Sequence, residues 1–149
     1  MSAQPRPALS DLIADGWAPM RLGAFPTLIG PILRKYEGGR LTFCFRVENK
    51  HDNTQGRAHG GMIMAFCDEA MGHAAAETRP QDSLMTIGFE CQFIGAALPG
   101  DVVTIETEVV RNTASLTFLR AICTAGDRPI ASCSGIWKAA RRKLPAVEA

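Results

Sequence analysis

Hydrophobic and polar positions alternate with two different periods along this chain, and the change of period marks its elements. In "LTFCFRVEN", Leu41, Phe43, Phe45 and Val47 alternate with Thr42, Cys44, Arg46 and Glu48, the two-residue rhythm of a strand with one buried face. "KHDNTQGRA" follows as a polar loop rich in turn residues. From His59 to about Thr78 the chain is almost wholly apolar and rich in Ala and Met, with its glycines mainly at the start. That composition predicts the one long helix. After "RPQDS" the two-residue period returns, and Met85, Ile87, Phe89, Cys91 and Phe93 form a single apolar row. "LPGD", "NTAS" and "AGDRP" then turn the chain into "VVTIETEVVR", "LTFLRAIC" and "IASCSGIWKA". Connections this short predict antiparallel neighbours, hence a four-stranded meander.

Ahead of these elements, "ALSDLIADGW" predicts a short helix with Ser10 as N-cap and Gly16 as stop. The stretch 21–39 yields no definite element, because Pro26 and Pro31 interrupt it. Residues 1–7 and 141–149 read as flexible tails. A long apolar helix followed by antiparallel strands is an α+β arrangement, with the helix laid on the sheet. No repeat, linker or low-complexity tract divides the 149 residues, which are expected to fold as one domain around a full core.

Composition narrows the function classes. Hydrophobic residues make up 46% and charged residues 21%, the proportions of a soluble globular protein. A formal net charge of +1 gives no basis for nucleic acid or a membrane surface as the main partner. No run reaches the ~18 apolar residues that span a bilayer. The N-terminus, "MSAQPRPALS", has prolines and no apolar core, so a signal peptide is not expected. Cys44, Cys67, Cys91, Cys123 and Cys133 lie singly in apolar stretches, without a C-x-x-C pair. They read as buried thiols of a reducing compartment, which predicts a cytoplasmic location.

Two adjacent carboxylates, Asp68 and Glu69, interrupt the long helix. Glu69 has His73 four residues on, a spacing at which the side chains pair. Asp68 has only Met64, Ala65, Met71 and Gly72 at the corresponding positions, so its own helix offers it no polar partner. It either faces solvent or meets a group from elsewhere. At the front of the helix, Gly60 and Gly61 let a ligand approach the backbone closely. A helix start also presents unpaired N–H donors and the positive end of the dipole, which can hold a developing oxyanion. His59 and Asp68, nine positions apart, are separated by ~13 Å along one helix. A single site using both therefore needs a second copy of the chain.

Asn53, five residues, His59-Gly60-Gly61, six residues, then Asp68 resembles the signature of the hotdog-fold acyl-CoA thioesterases, in their PaaI-like (4-hydroxybenzoyl-CoA thioesterase-like) branch. The resemblance runs from about residue 40 to 139 and includes "TIGFECQFIGAALPGD", similar to the family's strand and Pro-Gly-Asp turn after the helix. It implies a long helix wrapped by a curved antiparallel sheet, with active sites shared across a homodimer or a dimer-of-dimers tetramer. Carried over by position, it makes Asp68 the nucleophile or general base and Gly60 the backbone donor to the thioester carbonyl. Asn53 and His59 would shape the site from the opposite subunit, His59, Gly60 and Gly61 would contact the acyl-CoA substrate, and Thr86 would help place water. The chain departs from the pattern at Gly95-Ala96-Ala97, where the family commonly has Pro, and Thr86 alternates with the apolar row of its strand.

Such hydrolysis needs no metal or cofactor, and none is expected. His51, Asp52 and His59 share a loop without a recognised metal spacing. Arg111, Arg120 and Lys138 are cations available to coenzyme A phosphates, and the sequence does not choose among them. Two other readings stay open: a hotdog dehydratase or hydratase, and a non-catalytic acyl-CoA-binding module.

Overall fold

A computed structural model describes residues 6–141. The apolar run becomes helix α3 (Gly60–Glu77), capped at His59 and ending at Thr78, whose hydroxyl donates to Ala75 O at 2.8 Å. Met62, Ile63, Phe66, Cys67, Ala70, Met71, Ala74 and Ala75 form its buried stripe, recurring at three- and four-residue steps. Seven antiparallel strands wrap this stripe: β1 (Ala18–Pro19), β2 (Ile32–Glu37), β3 (Arg40–Arg46), β4 (Asp82–Phe93), β5 (Val102–Asn112), β6 (Leu116–Ala125) and β7 (Arg128–Arg141). Their order across the sheet is β1-β2-β3-β5-β6-β7-β4. Phe43, Phe45, Val103, Ile105, Leu119, Ile130 and Trp137 supply the large side chains that meet the helix.

The meander is shorter than the sequence predicts. β5, β6 and β7 follow one another as neighbours, but β4 pairs with β7 and β5 pairs with β3. Residues 94–101 therefore form a crossover, passing the front of α3, where Ala58 N donates to Ala97 O at 2.8 Å. Eight residues reach ~26 Å when extended, while three strand spacings amount to only ~14 Å. A short connection thus does not compel a hairpin, and the curl of the sheet around α3 selects the crossover instead.

Elsewhere the structure refines the pattern. Helix α1 (Leu9–Ala14) is capped at Ala8, and Asp11 accepts Ala8 N–H at 2.7 Å. Ser10 sits inside the first turn, so it is not the N-cap. Gly16 follows the helix with φ +92°, as a stop. The stretch without a definite element holds α2 (Ala24–Ile29) and β2. Cys44, grouped by alternation with polar positions, is buried with Leu12 and Leu33 in a second small core beneath α1. Of the expected tails, residues 1–5 and 142–149 lie outside the described residues. Residues 6 and 7 are anchored: Arg46 Nε donates to Pro7 O at 2.9 Å, and Arg6 lies 3.5 Å from Asp101.

Candidate active site

Two clusters lie along the face of α3 that the core leaves uncovered. The first is at its N-terminus. The loop before it is pinned by side chains: Asp52 accepts from Thr54 N and Arg57 N, both at 3.1 Å, and Asn53 Oδ1 accepts from Gln55 N at 2.9 Å. His51 anchors the loop from below. It is buried, its Nδ1 accepts from Glu48 N at 3.0 Å, and its Nε2 donates to Ile29 O at 2.7 Å. Burial pushes its pKa below the usual value, which keeps the ring neutral for these two contacts.

His59 Nδ1 accepts Gly61 N–H at 2.9 Å, and Met62 N–H goes to His59 O at 2.9 Å. Gly60 N–H has no acceptor among the described residues. Of the first N–H groups of the helix, Gly60 is thus available to a ligand, whereas Gly61 is engaged by the cap. A Cβ on Gly60 would come within 3.0 Å of the Phe93 ring, so glycine keeps this donor close to an aromatic wall.

The second cluster is centred on Asp68, more than two turns along. Its partner comes from the same chain: Thr86 Oγ1 donates to Asp68 Oδ1 at 2.9 Å. A β-bulge makes this possible. The β4–β7 register pairs Thr86 with Trp137 and then Gly88 with Ile136, leaving Ile87 as the extra residue. The predicted single row is therefore broken. Leu84 and Thr86 share the helix-facing side with Phe89, Cys91 and Phe93, while Met85 and Ile87 are exposed. Gly72, Ala76, Leu84 and Trp137 continue a groove beside Asp68, rimmed by Glu69 and His73. Glu69 Oε1 and His73 Nε2 pair at 3.3 Å, as their spacing predicts. Trp137 and Phe93 were not singled out from the sequence, and Gly88, an isolated glycine inside a strand pattern, was the available sign of the bulge.

Burial is the main cause that raises the Asp68 pKa, the Thr86 hydroxyl opposes it, and the Glu69 charge adds to it. A raised folded-state pKa means that the native fold pays for the ionised form as pH climbs through and above that value. Activity requiring the carboxylate should accordingly have its acid limb above the usual Asp value of ~3.9. Thr86→Val removes the one contact that lowers the pKa. In a kcat/KM profile against pH, its acid limb is expected to move further up; a limb that stays or moves down contradicts the assignment.

Asp68 and Gly60 are not brought together within one chain, since eight helical positions separate them by ~12 Å. Of the cations that the sequence leaves open, Arg120 is held by Glu108 through two contacts, at 2.7 and 3.0 Å. Arg111 and Lys138 have no ion pair among the described residues. Among those residues no group of His, Cys, Asp and Glu is arranged to hold a metal, and no helix is long and apolar enough to cross a membrane.

Residues 55–131 match the thioesterase superfamily. Over 128 residues the chain is also 31% identical to an inferred esterase of Pseudomonas aeruginosa, a match covering 84% of this chain and 96% of that protein. The chain belongs to the thioesterase superfamily. Solved structures agree on the architecture. A conserved protein of Pseudomonas aeruginosa superposes with a TM-score of 0.73 at 20% identity, over 80% of this chain and 95% of that one. A hypothetical thioesterase of Streptococcus pneumoniae, solved with coenzyme A, gives 0.66 at 20% identity, over 76% and 91%. These likenesses establish the hotdog fold of this thioesterase, with α3 as its central helix. By class the protein is a thioester hydrolase.

Proposed function

We propose that this thioesterase hydrolyses an acyl- or aryl-CoA to the free acid and CoA, at sites built from two copies of the chain. The observation that carries the reading is the pair of incomplete halves on α3: a half-buried carboxylate held by Thr86, and, about 12 Å away, a Gly60 N–H that has no acceptor among the described residues. In a second copy packed antiparallel, the halves complement each other. Asp68 of one copy, as base or nucleophile, faces the carbonyl whose oxygen is held by Gly60 of the other. With Asp68 as base, water adds to the carbonyl carbon as its proton passes to the carboxylate. The tetrahedral intermediate then collapses, Asp68 returns its proton to the departing sulfur, and CoA leaves as the thiol with the free acid as second product. Asn53 and His59 flank the donor side, and Gly61 has no side chain to obstruct the acyl group.

The free edge of the sheet supports the second copy. β4 is an edge strand, and Met85, Ile87, Phe93 and Ile94 on or beside it are more than half exposed. An uncovered apolar edge favours pairing with another chain, and a dimer, alone or doubled into a tetramer, satisfies it. The coenzyme A bound by the Streptococcus pneumoniae neighbour supports the choice of thioester.

The test is a panel of aryl-, short-, medium- and long-chain acyl-CoAs with a thiol reagent, in the presence of a strong chelator. Release of CoA thiol, matched by free acid and unaffected by the chelator, is the expected result. An enoyl product would instead indicate a dehydratase, and tight binding without thiol release an acyl-CoA-binding module.

A further inference from the structure

We propose that Trp137 is a further catalytic residue of this thioesterase: its indole Nε1–H, together with Asp68, holds the water that attacks the thioester. The inference rests on the hydrolytic reading with Asp68 as general base, and it names the group that fixes the nucleophile. Such a water needs more than the base. It must stand ~3–3.5 Å from the carbonyl carbon with a lone pair aimed at it, and a contact to Asp68 alone leaves it free to swing.

Thr86 does not donate that second contact, because its hydroxyl hydrogen goes to Asp68 Oδ1. Glu69 and His73, at the rim of the same groove, are engaged with each other. Trp137 also lines the groove, opposite Thr86 in the β4–β7 register. The residue is only 2% exposed. Its Nε1–H has no acceptor among the described residues, and the threonines opposite it on β4 and β6 donate elsewhere, Thr86 to Asp68 and Thr117 to Asn112. A buried indole N–H normally has a partner. Among the described residues every fully enclosed side-chain N or O atom has one, so this unpartnered N–H opens onto the groove.

Gly72 keeps the donor uncovered. A Cβ at that position would lie 3.2 Å from Trp137 Nε1. Gly72 is one turn beyond Asp68 on the same face of α3, a separation of ~6 Å. A water that accepts from an indole N–H and donates to a carboxylate spans up to ~5.7 Å, the sum of two ordinary hydrogen bonds. One water therefore fits between the two groups. In the reaction it accepts from Trp137 through one lone pair and attacks the carbonyl carbon through the other. Its proton passes to Asp68 as the new C–O bond forms. The indole keeps its own hydrogen, so Trp137 orients the water without exchanging a proton.

Two variants test the assignment on the acyl-CoA panel. Trp137→Phe keeps an aromatic ring and removes the N–H. Gly72→Ala keeps the indole and covers its N–H with a methyl group, and alanine suits a helix better than glycine. Each is expected to lower kcat about 10-fold or more, by the same factor for every acyl-CoA that is hydrolysed. KM and the acid limb of the pH profile should stay nearly unchanged. Thermal unfolding checks the fold, and if Trp137→Phe does not fold, Gly72→Ala decides. Wild-type kcat in Gly72→Ala or in folded Trp137→Phe would overturn the assignment. So would a raised KM at unchanged kcat, a loss confined to some acyl groups, or an acid limb that moves, since the donor would then serve the substrate or Asp68 itself. In all these cases Asp68→Asn still loses its turnover and the hydrolytic reading stands; Asp68→Asn with wild-type turnover would end both.

Discussion

Asp68→Asn is expected to lower kcat at least ~100-fold while leaving acyl-CoA affinity nearly unchanged. Asn is close to Asp in shape, and its carbonyl oxygen can still accept from Thr86, so the groove keeps its form. Lost is the ability to take a proton or attack the carbonyl. The loss should fall on kcat, because the carboxylate acts on the reacting bond rather than on the CoA handle. Stability should move the other way: burial penalises ionised Asp68, so the neutral Asn is expected to hold or raise Tm at neutral pH. Glu69→Gln should do much less to turnover, since Glu69 is engaged by His73. Steady-state kinetics with a direct binding measurement decide the matter. A larger kcat loss in Glu69→Gln than in Asp68→Asn would show that the wrong carboxylate has been chosen.

Two inactive variants are expected to rescue each other if the site is shared. Asp68→Ala removes the base of one half-site. Asn53→Ala alters the other, where Asn53 Oδ1 orders the loop through Gln55 N and its amide NH2 has no partner among the described residues. Each homodimer should be nearly inactive. After the two are unfolded and refolded together, random pairing makes about half the dimers mixed. In a mixed dimer one site collects both changes and the other collects none, so roughly a quarter of wild-type activity should return. If each chain held a whole site, every site would keep one lesion. Activity no higher than the sum of the parents, with mixed dimers confirmed by mass, would refute sharing.

The sequence by itself determined what depends on neighbours along the chain. Period and composition placed α3 within a residue of its ends, the alternation in 41–47 predicted β3, and i,i+4 spacing paired Glu69 with His73. The helical rise also showed that His59 and Asp68 cannot meet within one copy. The tertiary structure decided what depends on residues far apart in the chain. Whether residues 94–101 make a hairpin or a crossover is settled by the sheet curling around α3, because eight residues are long enough for either. Thr86 reaches Asp68 only because one inserted residue, Ile87, reverses the alternation of β4 against β7, and a bulge exists only relative to a paired strand. Gly60 stands out from Gly61 only once the His59 ring has folded back to take the Gly61 N–H. Strand pairing and cap geometry are relations between separated groups, and a local pattern can propose the groups without fixing the relation.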